Sequence, residues 1–132
     1  MPYINPLYRY KQMPTGRQLF SGLKRTISSY WQMYTTEEMV TCIADGYPVV
    51  GGVAVYDSFQ SDAIARTGII PMPSSSEKFK GGHAIVFCGY DMMSKRFIFR
   101  NSWGTKWGQE GYGTIPFEYV DQMGWDFWTV RK

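Results

Sequence analysis

The sequence of 132 residues has little of what metal and disulfide sites require. It contains one histidine and two cysteines, Cys42 and Cys88. A single histidine with two scattered cysteines does not form the ligand cluster of a zinc site, and two cysteines do not make a disulfide framework. We therefore expect no bound metal ion and no cofactor, and nothing in the sequence indicates a Cys42–Cys88 disulfide.

Long hydrophobic runs are also lacking. No stretch reaches the roughly 18 consecutive apolar residues that a membrane-spanning helix needs. The first residues, MPYINP, have neither the positive nor the apolar region of a signal peptide. We expect no contact with a membrane through this chain, and the sequence leaves its localisation unknown.

The chain has only a small excess of positive charge. The 14 basic and 11 acidic residues give a formal net charge of +3. The basic residues are scattered and form no run that would follow a phosphate backbone. Nucleic acid is therefore not an expected partner.

What the sequence does contain favours a packed domain. Hydrophobic residues make up 44% and aromatic residues 17% of the chain, with 14 glycines and 7 prolines. Aromatic side chains at this density pack well on pleated sheets, and glycine and proline mark many turns. We interpret residues 1–132 as a single domain, with residues 1–34 as an irregular lead-in and first strand.

One helix is predicted clearly. Thr35 and Glu38 match a capping box, and Gly46 stands where a helix commonly ends. Thr15 is a candidate cap for a shorter helical or turn segment. Strands are predicted at residues 24–33, 48–56, 83–90 and 96–100, with short strands or turns at 114–120 and 125–130. Residues 57–68 are predicted as a loop or short helix.

Two further segments allow more than one interpretation. Residues 71–80 carry three serines and two prolines, which is typical of a plain surface loop, and a mobile lid is the alternative. The aromatic residues Trp125, Phe127 and Trp128 are interpreted as core or barrel closure, with a partner-binding surface as the alternative.

Two motifs indicate chemistry. The run GGHAIV places His83 at the start of a predicted strand, and NSWGTKWG places Asn101 at the end of the returning strand, 18 residues later. The two ends of a hairpin are neighbours, so the Asn101 oxygen can accept from one ring N–H of His83 and fix its tautomer. The other ring nitrogen can then pair with a thiolate. Trp103 is expected to cover the Asn–His hydrogen bond.

Together with the segment DGYPVV at 45–50 and the turn GYD at 89–91, these motifs resemble the papain-like cysteine peptidase family over about residues 35–120. The resemblance implies an α+β fold: the right-hand half-domain of that family, an antiparallel β-barrel-like sheet with one or two short helices. We expect the helical half that bears the catalytic cysteine to be absent from this sequence.

The resemblance also implies roles for individual residues. His83 would act as general base and acid, and Asn101 would orient it. Trp103 and Trp107 would lie on the leaving-group side. The pocket for the side chain two residues before the scissile bond would be bordered by Gly52, Gly82 and Ala84.

No nucleophile is predicted in this chain. In the family the cysteine lies roughly 130 residues or more before the histidine, whereas 82 residues precede His83 here. Cys42 falls near the end of a predicted helix, where the helix dipole disfavours a thiolate. Cys88 is five residues from His83 on one strand, an odd separation that directs the two side chains to opposite faces unless a bulge intervenes.

Two functions remain open from the sequence. In the first, another chain or segment supplies the cysteine, and the assembly hydrolyses a peptide substrate. In the second, the chain is an inactive pseudopeptidase that serves as a binding or structural module. In both, the chain alone is expected to be inactive, and another protein chain or a second copy is expected to cover the apolar cleft face.

Overall fold

The computed structural model describes residues 13–132, so the first part of the predicted lead-in lies outside the described residues. Helix α1 (Gly16–Leu23) begins after Thr15, whose hydroxyl accepts from the Gln18 backbone while the Gln18 side chain accepts from the Thr15 backbone. This capping box confirms the candidate cap at Thr15. No residue of α1 is buried, so the helix packs little surface against the rest of the described chain.

The first strand and the second helix follow directly. Strand β1 (Ser29–Met33) is shorter than the predicted segment 24–33. Helix α2 (Thr36–Ala44) has the capping box that the sequence predicts, since Thr35 and Glu38 bond to each other's backbone N–H groups. Gly46 takes a φ of 88°, and its N–H and that of Tyr47 bond back to carbonyl groups of the last turn. Gly46, in the left-handed backbone conformation, ends the helix as predicted.

The central hairpin matches the prediction and extends it. Strand β2 (Val49–Tyr56) pairs with β3 (Phe79–Asp91), which pairs with β4 (Arg96–Arg100). The sequence predicts that the strand starts at His83, but β3 begins four residues earlier, so the histidine lies within the strand. The register between β3 and β4 shifts between Phe87 and Gly89, which makes Cys88 the extra residue of a bulge.

The segment between β2 and β3 is partly helical. A 3₁₀ turn (Asp57–Gln60) and helix α3 (Asp62–Thr67) precede an irregular stretch at 68–78. The Glu77 carboxylate accepts hydrogen bonds from the backbone N–H groups of Ser58 and Ser74, and these bonds hold its pKa below the usual range. This anchoring favours the plain loop over a mobile lid.

One helix near the end of the chain was not predicted. Strand β5 (Tyr112–Pro116) leads into helix α4 (Phe117–Met123), and β6 (Gly124–Arg131) follows. Several residues of α4 favour strands, so the sequence does not indicate a helix here. Tertiary contacts stabilise the helix: Tyr119 is buried, and its hydroxyl donates to the Ala54 carbonyl at 2.8 Å. Among residues 13–132, no helix combines the length and apolar character that crossing a bilayer demands.

All strands join one antiparallel sheet in the order β1-β6-β2-β3-β4-β5. The α+β class and the antiparallel sheet are confirmed, but the sheet is open, because β1 and β5 do not pair with each other among the described residues. Helices α2 and α4 contact the sheet and each other. The largest fully buried side chains of this core include Met39, Val49, Val53, Phe59, Ile70, Ile85, Phe87, Phe97, Phe99, Ile115, Tyr119 and Val120.

The other face of the sheet, which we call the outer sheet face, lacks such cover. Strand alternation places on it the residues Tyr30, Val50, Gly52, Gly82, Ala84, Trp125, Trp128 and Val130. Tyr30, Val50, Trp125 and Val130 are between 46% and 64% exposed. The sheet therefore presents a broad apolar surface to solvent.

Candidate active site

His83 leaves β3 on the core face of the sheet. Its cross-strand partner is Val53, and Ile85, two residues along, shares its side. Both neighbours are buried, whereas His83 itself is half-buried. The imidazole therefore lies at the margin of the core, with part of its ring open to a second reactant.

Asn101 follows the last residue of β4 and is 5% exposed. Its backbone N–H donates to the Gly111 carbonyl at 2.9 Å. Its Oδ1 lies 2.9 Å from His83 Nε2 and also accepts from the Ser102 backbone N–H at 2.8 Å. The amide nitrogen Nδ2 has no acceptor among the described residues, so the side chain is held through Oδ1.

These contacts determine the tautomer of His83. Because the Ser102 N–H must donate, the atom that it meets is the oxygen of the Asn101 amide. A carboxamide oxygen accepts and cannot donate, so Nε2 of His83 carries the hydrogen in their shared bond. The lone pair of the neutral imidazole is consequently on Nδ1, the nitrogen that Asn101 does not contact.

Two aromatic rings contact the imidazole, and a third packs against one of them. Trp103 stacks on His83 with ring centroids 4.8 Å apart and an interplanar angle of 26°. Phe59 meets the edge of both rings, at 6.3 Å from His83 and 5.9 Å from Trp103. Trp107 is 6% exposed and packs edge-on against Trp103 at 5.7 Å. Trp107 therefore braces Trp103 and offers little open surface of its own.

Phe59 is a residue that the sequence analysis did not single out. It belongs to the 3₁₀ turn after β2 and is fully buried. Its one signal is an aromatic residue in a predicted loop, which does not by itself indicate a position beside His83. The tertiary fold brings it there.

The loop that carries Asn101 and the two tryptophans is held by close backbone packing. Gly108 has a φ of 59°, and its N–H donates to the Ala65 carbonyl at 2.7 Å. A Cβ on Gly108 would lie 2.3 Å from the Tyr112 carbonyl oxygen. Gly68 and Gly113 approach the same point, and neither has room for a Cβ. The glycines of this region thus permit the loop to close on β5.

We predict that Gly108→Ala lowers the free energy of unfolding by about 3 kcal/mol, because strained backbone and a steric clash add together. Gly104→Ala is the matched control. Gly104 also has positive φ, at 87°, but a Cβ there meets nothing within 4 Å. Its expected cost is about 1 kcal/mol. Urea unfolding of both variants checks this, and equal losses would contradict the packing explanation.

The three expected pocket residues lie together on the outer sheet face. Gly52 pairs with Ala84, and Ala54 pairs with Gly82, so positions 52, 82 and 84 share one side. The indole of Trp125 lies across this surface. A Cβ on Gly52 would be 2.7 Å from it and a Cβ on Gly82 would be 2.9 Å from it. The glycines make a trough, and Trp125 occupies part of it.

A cavity of about 160 Å³ opens beside His83 and Trp103, with Gln60 and Lys80 in its wall. Lys80 Nζ is 2.7 Å from the Asp57 carboxylate. This contact, together with the Lys78 N–H, holds the pKa of Asp57 below its usual range. A larger cavity of about 840 Å³ lies between α2 and α4 and contains none of the residues around His83.

Neither cysteine reaches this site. Cys42 is buried, and its Sγ lies near the Tyr47 carbonyl and the Arg131 guanidinium. Cys88 sits in a bulge, yet it is five positions from His83 along the strand, which is about 16 Å. Burial raises the pKa of the Cys88 thiol, although Arg100 opposes this, so less thiolate is present at neutral pH. Both cysteines are unpaired.

Among residues 13–132, no group of three or more His, Cys, Asp or Glu side chains could hold a metal ion. The imidazole of His83 is oriented by Asn101 and covered by Trp103.

Sequence comparison relates the chain to known proteins. The profile described as "Papain family cysteine protease" matches residues 7–125. An uncharacterized peptidase C1-like protein of Acanthamoeba polyphaga mimivirus is 40% identical over 98 residues, which cover 73% of this chain and 32% of that protein. Silicatein of Petrosia ficiformis is 38% identical over 127 residues, which cover 93% of this chain and 35% of silicatein.

Structure comparison points the same way. Xylellain, a cysteine protease from Xylella fastidiosa, superposes with a TM-score of 0.82 and 31% identity, over 92% of this chain and 46% of xylellain. The chain therefore spans about a third of the length of these curated relatives and about half of xylellain.

Proposed function

Because this chain belongs to the papain family of cysteine proteases, we propose that it supplies the histidine–asparagine half of a cysteine peptidase site. The nucleophilic cysteine comes from another polypeptide chain or segment. The observation that carries the proposal is the 2.9 Å contact between His83 Nε2 and Asn101 Oδ1 beneath the stacked Trp103 ring. This contact leaves Nδ1 as the proton acceptor.

The chemistry follows from that tautomer. Nδ1 of His83 takes the proton of the cysteine thiol, and the thiolate attacks the carbonyl carbon of a peptide bond. The imidazolium then gives its proton to the leaving amine as the C–N bond breaks. Water hydrolyses the resulting thioester, with His83 again the base. Asn101 holds the ring in place through both transfers, and Trp103 shields the bond that it makes.

The outer sheet face supports the need for a second component. Its exposed residues Tyr30, Val50, Trp125 and Val130 form an apolar surface next to the trough of Gly52. Surfaces of this kind are usually covered by a partner or ligand. The partner that brings the cysteine would lie beside this face, with a peptide substrate held between the two.

Trp125 is expected to limit the side chain accepted two residues before the scissile bond. The indole occupies part of the trough over Gly52 and Gly82, so small residues should fit better than bulky ones. We predict that Trp125→Ala raises the kcat/KM ratio of a leucine to an alanine substrate at that position by about tenfold. Tyr112→Ala, which removes an exposed aromatic side chain from β5, is the control. An unchanged ratio in Trp125→Ala would show that the trough is not this pocket.

The direct test compares the chain alone with its complex. The tagged chain is purified from its native source with its partners, and peptide hydrolysis and labelling by a thiol-reactive peptide probe are measured. We expect no activity from the chain alone and probe labelling on a partner cysteine in the complex. Absence of labelling and hydrolysis in both states would reject the peptidase proposal.

The alternative function is a pseudopeptidase module for binding or assembly. The observation that favours it is the position of Cys42 and Cys88, neither of which approaches His83. Turnover by the purified complex would exclude this alternative. A stable but inactive complex with His83 and Asn101 intact would establish it.

A further inference from the structure

The two edges of the sheet differ in how they are covered. The edge of β5 is occupied, because Thr114 exchanges backbone hydrogen bonds with Gly68 and Ile70 at 2.8 and 2.9 Å. The outer edge of β1 has no such cover: β1 ends the sheet order, and no strand of residues 13–132 pairs with its far side. Alternate N–H and C=O groups of β1 therefore point away from the sheet.

The sequence of β1 carries none of the features that usually protect an edge. The strand reads SYWQM, without a charge or a proline. Tyr30 is 64% and Trp31 60% exposed, and Tyr34 just beyond the strand is 75% exposed. Helix α1, which precedes β1, likewise exposes Leu19, Phe20 and Leu23. The region therefore exposes several large apolar and aromatic side chains.

We propose that β1 is a self-association edge, at which two copies of the chain pair antiparallel across a two-fold axis through Trp31. In this register the two Trp31 residues oppose each other, and Tyr30 opposes Gln32 of the other copy. The two sheets join into one continuous sheet of twelve strands, six from each copy. A two-fold axis requires a surface that complements itself, and the charges around β1 meet that requirement.

The charges differ at the two ends of β1. Arg25 lies before the strand and lines a cavity together with Arg131 and Lys132. After the strand lie Glu37 and Glu38, which line a different cavity together with Trp31, Asp45 and Arg131. Arg25 and Glu37 are each six residues from Trp31 along the sequence. Antiparallel pairing brings the basic end of one copy to the acidic end of the other.

This charge arrangement favours a second copy over an unrelated strand. An antiparallel partner of a different chain would need an acidic segment and a basic segment in the matching order. A second copy supplies both without any further condition. The inference does not depend on the peptidase function, since it concerns an edge remote from His83 and is read out by association, not turnover.

The test is sedimentation equilibrium of the full chain under reducing conditions, which exclude a disulfide through Cys88. We expect a concentration-dependent dimer. Trp31→Lys places two positive charges opposite each other and should raise the dimer dissociation constant at least about tenfold. Arg25→Glu and Glu37→Arg should each weaken the dimer, and the double variant should restore it, because the exchanged charges meet again.

The control is Trp125→Lys, which introduces the same charge at a similarly exposed tryptophan of the outer sheet face. It should leave the dimer intact, with folding of every variant checked by circular dichroism. A chain that is monomeric at all concentrations would overturn the proposal. So would a dimer that Trp125→Lys dissociates and Trp31→Lys does not, because the interface would then be the outer face. A dimer that forms only after removal of residues 1–12 would also overturn it, since that segment would then be the occupant of the edge.

Discussion

Replacing His83 with alanine in the assembled peptidase is expected to lower kcat by about 10⁴, the upper end of what general acid–base catalysis contributes. Without the imidazole, no group described near the site can take the thiol proton. The cysteine of the partner would remain a thiol at neutral pH, and the leaving amine would lack a proton donor. The rate at which the thiol-reactive probe labels that cysteine should fall together with the rate of turnover.

The substitution is a fair test because His83 contributes little to the core. The ring is half-buried at the margin, and the large residues behind it, Phe59 and Ile85, remain. Thermal unfolding of the variant should therefore stay close to that of the natural chain. A His83→Ala complex that unfolds early would require His83→Gln, which keeps a polar side chain of similar size.

The control for this prediction is the double variant Cys42→Ser with Cys88→Ser. Both thiols are unpaired and distant from the site, so the labelled cysteine should still be found on the partner and turnover should persist. If labelling were instead lost when Cys88 is replaced, the nucleophile would belong to this chain and the split-site proposal would be wrong. Turnover within tenfold of normal in His83→Ala would likewise show that another base is used.

The features that the sequence predicts well are those fixed over a short stretch of chain. The pairing of Thr35 with Glu38 depends on four consecutive residues, and the helix end at Gly46 depends on one residue with positive φ. The approach of His83 to Asn101 depends on one hairpin whose two strands are rich in β-branched and aromatic residues. Local patterns of this kind are visible before any tertiary contact is known.

Features that depend on distant segments were not visible. Helix α4 is built from residues that favour strands, and it is stabilised by contacts such as Tyr119 to Ala54. Phe59 reaches His83 because the 3₁₀ turn folds under the sheet. The position of Trp125 over Gly52 follows from pairing between β6 and β2, which no short motif encodes. That the sheet is open could not be predicted either, because closure of a sheet into a barrel depends on strand register across the whole fold.

The two adjacent glycines of β2 illustrate how a partial prediction becomes specific. The sequence predicts a strand at residues 48–56. In the structure the two positions face opposite sides of the sheet, and each receives an aromatic ring from β6: Phe127 lies over Gly51 and Trp125 over Gly52. The glycines therefore accommodate rings on both faces. The aromatic cluster near the end of the chain is thus divided, with Phe127 in the core and Trp125 on the exposed face.

Asn101→Ala is expected to lower kcat of the assembled peptidase by about 10², with little change in KM. The imidazole would remain, but nothing would hold Nε2 as the protonated nitrogen or fix the ring against Trp103. Since Asn101 touches the imidazole and not the peptide, its loss should affect the proton transfers and not substrate binding. Steady-state kinetics on one fluorogenic peptide separate kcat from KM and check this expectation.

Two further variants distinguish positioning of His83 from a general structural role. Asn101→Asp still accepts from Nε2, and its negative charge favours the protonated ring over the neutral one. The alkaline limb of the pH–rate profile should then move to higher pH. Ser102→Ala is the control, because Ser102 contacts Oδ1 through its backbone N–H, which alanine retains. A profile of Asn101→Asp that coincides with the natural one would show that Asn101 does not act through the imidazole.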